Sequence, residues 1–239
     1  MRPLQSLHRS RHATRALAAA ALASALTTLP AAAQRADDVD ALISRAAATY
    51  KAARTVSARF EQTLTNPLTG SATVSHGVLQ RQAPDKFNFE FTDPEGDRLV
   101  ADGTWIWVYT PSTAPKQVIK MPLAAAGGVV VDPGLQFFDA PTERFTVRDG
   151  GAVALGGERT RVLTLTPKRG AAGFTQATVW LDPDDGMLRQ FETVDGMGVK
   201  RRVRLTDLKL NVPVPAASFR FTPPPGVRIV DQKALTGGR

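Results

Sequence analysis

Polar and apolar positions along this chain change period at residue 55. Before it, Val39, Leu42, Ile43, Ala46, Tyr50 and Ala53 recur at helical spacing, which predicts an amphipathic helix with Asp37 and Asp38 opening it at the positive end of its dipole. From Thr55 the period is two. Val56, Ala58, Phe60 and Leu64 alternate with Ser57, Arg59, Glu61 and Thr63, so a half-buried strand is expected up to Asn66-Pro67. A second strand is expected over residues 73–82, followed by two aromatic stripes. Phe87, Phe89 and Phe91 make the first; Trp105, Trp107 and Tyr109 make the second, after an Asp102-Gly103 turn. Residues i, i+2 and i+4 of a strand point to one side, so each stripe is a continuous apolar surface. Ile106 and Val108 lie on the opposite side of the second stripe, which implies that both faces of that strand are covered. Two readings of the stripes stand: a sheet packed on its own core, or a surface that a ligand covers.

The remaining chain is β-rich. A short strand is expected over 116–120, and others over 144–149, 159–166, 174–181, 187–194, 198–210 and 227–230, divided by Gly- and Asp-rich turns. Such regular short strands argue for an antiparallel meander. In the longest of them Val199, Val203 and Leu205 share one side, and Lys200, Arg202 and Arg204 the other, a basic row that discourages edge pairing. Residues 121–141 break the pattern. Pro122, Gly127, Gly128, Pro133, Gly134 and Pro141 punctuate apolar clusters at Val129 to Val131 and at Leu135, Phe137 and Phe138, the make-up of a flap over apolar surface. Asp132-Pro133 suits the start of a short helix.

Composition narrows the function. Arg2, Arg9, Arg11 and Arg15 precede an apolar run from Ala16 to Leu29, then Pro30-Ala31-Ala32-Ala33, the pattern of a secretory signal cleaved after Ala33. Residues 1–33 would be the signal and 34–239 a single domain. The signal holds four of the 30 Lys and Arg and no acid, so the mature chain has 26 bases against 22 acids, a net of +4. That charge is too weak to argue for nucleic acid. With no cysteine there is no disulfide, no thiol nucleophile and no acylation site. His76 is the one imidazole outside the signal, so a multi-histidine metal site is not expected. No phosphate-binding glycine loop and no G-x-S-x-G elbow is present. Neither catalysis nor a cofactor is expected.

Several pieces, in order, carry a family likeness. They are Phe60-Glu61-Gln62, Gly77-x-Leu79, Pro84, the alternating Phe87, Phe89 and Phe91, Pro94, Leu99-Val100-Ala101-Asp102-Gly103, then Trp107, Tyr109 and Pro111. The ending Phe219-x-Phe221-Thr222-Pro223-Pro224-x-Gly226-Val227, with Asp231-Gln232, completes them. In this order the chain resembles the LolA family of periplasmic carriers of outer-membrane lipoproteins. The resemblance implies a mainly β fold with α, an open, strongly curved antiparallel half-barrel covered by an N-terminal helix and short lid helices. It implies an apolar hollow, incompletely packed, that shelters lipoprotein acyl chains. Phe87, Phe89, Phe91, Trp107 and Tyr109 match family positions on the sheet and are taken by alternation to face that hollow. Leu42 and Ile43 on the helix, and Leu135 and Phe138 on the flap, correspond to the lid by location. The resemblance further implies loading by an inner-membrane ATP-driven lipoprotein-releasing complex, delivery to an outer-membrane receptor resembling LolB, and a soluble monomer in the periplasm. Another lipid or glycolipid carrier, or an envelope sensor, on the same scaffold is the alternative. One departure stands out. Family members commonly place an arginine before the proline matching Pro84, where it holds the lid; this chain has Ala83, with Arg81 on the same side of an extended strand two residues earlier.

Overall fold

The computed structural model describes residues 31–125, 133–168 and 173–231. Helix α1 spans Ala31–Ala52. It starts earlier than Asp37 and Asp38 predict, so these acids lie in its second turn and cannot cap it. The first sheet segment contains β1 (Thr55–Thr65), β2 (Ala72–Gln82), β3 (Lys86–Asp93), β4 (Glu95–Asp102), β5 (Trp105–Tyr109) and β6 (Gln117–Pro122). Two short helices follow, α2 (Pro133–Phe138) and α3 (Pro141–Arg144). Then come β7 (Phe145–Leu155), β8 (Glu158–Pro167), β9 (Gln176–Leu181), β10 (Leu188–Val194), β11 (Lys200–Leu210) and β12 (Arg228–Asp231).

All twelve strands belong to one open sheet, in the order β12-β6-β5-β4-β3-β2-β1-β11-β10-β9-β8-β7. Neighbours are antiparallel except β12, which runs parallel to β6. Long-range pairing of β1 with β11 joins the two meanders, Phe60 standing opposite Leu205 and Gln62 opposite Val203. Two expectations are corrected. The Asp102-Gly103 turn joins β5 not to the phenylalanine strand but to β4, which lies between them. Residues 149–151 are a bulge within β7 rather than a turn, because the β7–β8 pairing resumes beyond them.

One face of the sheet carries the helices and the main core. On α1, Val39, Leu42, Ile43, Ala46 and Tyr50, with Ala53 just beyond, are all buried, the stripe expected from spacing. They meet Val56, Ala58, Phe60, Leu79, Phe87 and Phe89 of the sheet in one cluster. Leu64 continues the alternation of β1 but lies exposed, beyond the reach of the helices. The other face is bare over much of its width. Among the described residues, the helical turn at Ala216–Phe219 covers it across β3 and β4, and Phe221 beyond the turn covers it at β5.

Candidate functional site

The inner face is built in rows, because directly paired residues of neighbouring strands project to the same side. One row runs Val56, Arg81, Phe87, Ala101, Ile106 and Met121; the next runs Leu79, Phe89, Leu99, Val108 and Ile119. Phe60, opposite Gly77, and Phe91 follow. Aromatic rings interlock edge to face at the centre: Phe60 to Phe89 at 4.8 Å, Phe60 to Phe91 at 5.1 Å, Phe87 to Phe89 at 4.7 Å. Phe60 was not among the residues expected here, although its phase within β1 and the slot left by Gly77 point to it.

Above this wall lie α1 and α2. Tyr50 stacks on Phe138 at 5.5 Å and accepts a hydrogen bond from the Leu188 N–H at 3.3 Å. Thr49 donates to the Asp185 carbonyl at 2.9 Å, and Arg45 to that of Pro183, so α1 is tied to the turn between β9 and β10. That turn is itself braced by Arg189, whose guanidinium reaches Asp182 at 2.8 Å and Asp185 at 2.9 Å. Partial burial pushes the Asp182 carboxyl up, but the Asp184 N–H and Arg189 outweigh it and leave it below the ordinary carboxylate value. The same C-terminal half of α1 is also held from the sheet. Arg81, buried on the inner face, donates from Nη1 to the carbonyls of Ala53 at 3.0 Å and Tyr50 at 3.4 Å.

The structure brings together Leu42, Ile43, Phe87, Phe89 and Phe138, with Phe91 packed against them. The Leu135 side chain, the Val129 to Val131 part of the flap and residues 1–30 of the expected signal lie outside the described residues. Trp107 and Tyr109 are elsewhere. Ile106 and Val108 take the inward positions of β5, so the two rings point to the outer face, 5.7 and 5.6 Å from Phe221. There the Trp107 Nε1–H donates to Asp102 at 2.9 Å, and Lys120 sits 3.8 Å from the Trp105 ring centre. Among the described residues the wall and the helices are in contact, with a void of about 10 Å³ bordered by Tyr50, Leu79, Arg81, Phe87 and Gly134 among others.

Such a wall, largely apolar and covered by tethered helices, binds chiefly by apolar contact. His76 lies on the outer face, half exposed between Glu61 at 3.6 Å and Asp93 at 3.8 Å. Comparison with known proteins decides the family. The profile described as "Outer membrane lipoprotein carrier protein LolA" matches residues 51–128 and 142–222. The chain belongs to the LolA family. An outer-membrane lipoprotein carrier protein of Bordetella pertussis is 31% identical over 232 residues, covering 94% of this chain and 99% of the relative. That of Dechloromonas aromatica is 30% identical over 182 residues, covering 76% of this chain and 84% of the relative. A crystal structure of an uncharacterized conserved protein from Thermus thermophilus shares the fold, with a TM-score of 0.51 at 15% identity over 81% of this chain and 98% of that one. LolA-family membership makes this a lipoprotein carrier rather than an enzyme. Among the described residues, no helix is long and apolar enough to cross a membrane.

Proposed function

We propose that this LolA-family protein is exported to the periplasm, takes lipoproteins from an inner-membrane ATP-driven releasing complex, shields their acyl chains, and yields them to an outer-membrane receptor resembling LolB. The observation that carries this reading is the aromatic wall with a helical cover held by few tethers. The aromatic wall of Phe60, Phe87, Phe89 and Phe91 is occupied by the apolar stripe of α1, which is fastened by a few hydrogen bonds at its end and side. Burying Val39, Leu42, Ile43 and Tyr50 is worth about 2 kcal/mol each, roughly 8 kcal/mol together. A long acyl chain, at about 0.8 kcal/mol per methylene, gains roughly 10 kcal/mol by the same burial. Helix and acyl chain are therefore near-equal competitors for one surface. Loading displaces α1 and α2 from the wall, and emptying returns them. A bilayer shelters the acyl chain equally well, so extraction needs outside work and delivery needs a tighter acceptor. Arg81 takes the lid-holding part that the family resemblance gives to an arginine at position 83, its Nη1 reaching the carbonyls of Tyr50 and Ala53.

Residues 1–33 act in this reading as the signal, and N-terminal sequencing of the exported protein should begin at Gln34. The central test is recovery of a soluble one-to-one complex with a triacylated lipoprotein as detergent is removed. Wild-type protein should form it, and Phe89→Glu, shown folded by circular dichroism, should not. Complex formation undiminished by that charge on the wall would sink the proposal.

A further inference from the structure

The inner face is not apolar throughout. Thr193 pairs with Arg201, and Arg201 with Leu64; one row further in, Phe191 pairs with Val203, Val203 with Gln62, and Gln62 with Ser75. Arg201, Gln62, Ser75 and Thr193 thus form a polar band on the side of the sheet that carries Phe60 and Phe89. Gln62, Ser75 and Thr193 are buried. The Arg201 guanidinium stands 5.5 Å from the Phe89 ring centre and donates from Nε to Gln62 Oε1 at 2.7 Å. Its terminal nitrogens meet no acceptor among the described residues. The acids on these strands are turned to the outer face, where Glu61 lies by His76, Glu192 by Arg202 and Asp207 by Arg59. Burial pulls the Arg201 pKa down to about 10, and the group still carries its charge at pH 7.

A cation only partly open to water and without a counter-charge among the described residues is costly to hold, and a guanidinium offers five N–H donors in a fixed fork. Here one donor is used, and the fork stands against an aromatic ring of the acyl-binding wall. We propose that Arg201 is a polar anchor within the hollow: its free donors take the oxygen acceptor at the head of an acyl chain while the tail lies along Phe60, Phe89 and Phe91. This rests on the acyl-carrier reading above. The acceptor is a carbonyl of an esterified cargo or the carboxylate of a free fatty acid, and both present the same oxygen at the same end of the chain. The band gives the hollow a direction, so that an acyl chain enters with its head toward Arg201 and Gln62.

The test displaces an apolar fluorophore from the full mature chain with laurate, methyl laurate and dodecane. Wild-type protein should bind an oxygen-bearing ligand at least about tenfold more tightly than Arg201→Met does, the worth of one hydrogen bond to a charged group. Dodecane, lacking oxygen, should bind Arg201→Met as tightly as or more tightly than wild type, and its binding shows that the variant is folded. Should Arg201→Met fail to fold, Arg201→Lys carries the test, since a point charge without the fork should restore only part of the affinity. Loss on both oxygen-bearing ligands assigns an ester carbonyl; loss on laurate alone assigns a carboxylate. Equal affinity of wild type and variants for all three overturns the anchor and leaves the carrier standing. If the wild-type chain binds none of them, the hollow itself fails, and the anchor with it.

Discussion

Single side chains set how closely the wall can pack. Gly77 is the slot into which the Phe60 ring fits: an added Cβ would stand 2.2 Å from the Glu90 carbonyl oxygen and 2.6 Å from Phe60 Cζ. Gly77→Ala should therefore destabilise the protein by about 1–3 kcal/mol, the range for overpacking a core, measurable by urea unfolding. Unchanged stability would mean that Phe60 moves aside at no cost. Arg81 works in the opposite sense, as a tether. Arg81→Leu takes a donor from the carbonyls of Tyr50 and Ala53, at a cost of about 1–3 kcal/mol for buried acceptors left unpaired. Amide exchange in α1 should accelerate while that of β9 and β10 stays slow. Equal exchange along α1 in both proteins would show that the helix is held elsewhere.

At the scale of elements, the turns do more than connect strands. Asp102 closes the β4–β5 hairpin by accepting from the Thr104 and Trp105 N–H groups, each at 2.8 Å, and from the Trp107 indole. Burial pushes its carboxyl up; these hydrogen bonds and Lys120 together outweigh that and hold it below its ordinary value. The sign follows from linkage. A carboxyl with a lowered folded pKa lends stability above the unfolded value, near pH 4, and loses it as pH falls through the folded one. Asp182 behaves alike in the turn that carries α1. Asp102→Asn should lower stability at pH 7 and flatten its fall below about pH 4. An unaltered acid slope would exclude Asp102 as its source. Gly186, at φ +73°, is the other demanding turn position, since a Cβ there would lie 2.7 Å from the Ala46 nitrogen of α1. Close approach of this turn is what lets Arg45 and Thr49 reach it.

Across the whole molecule, the proposed loading requires the cover and the wall to part. The chain has no cysteine, so a pair can be introduced without competing thiols. Thr49→Cys with Asp185→Cys, bridged by a short thiol-reactive linker, would fasten α1 to the β9–β10 turn where the Thr49 hydroxyl now donates. The bridged protein should keep its fold and fail to take up lipoprotein; cleaving the linker should restore uptake. Uptake by the bridged form would show that acyl chains reach the wall without moving α1. The sheet itself has no such need to move. Its open edges are β12 and β7, and α1 and α2 lie over one face.

Much of this was legible from local pattern. The buried stripe of α1, the alternation of β1, the aromatic row of β3 and most strand limits follow from period and turn chemistry, because a side chain's phase within its own element is a local property. β4 was not legible: Glu95-Gly96-Asp97-Arg98 opens it with charges and a glycine, and only Leu99 to Ala101 read as apolar. Phase also leaves the absolute side of a strand undetermined. Trp107 and Tyr109 shared a face with each other as expected, but pairing of Ile106 with Ala101 put that face outward, and the distant Phe221 covers it. Arg201 has the parity of Val203 and Leu205, which marks it as inward, yet an unpaired charge on a core face defies the usual pattern. Sequence alone thus determined most of the elements, their amphipathic faces and, through motif order, the family. Tertiary structure decided which face became the inside, what fills it and what holds the cover down, because those depend on contacts between residues far apart in the chain.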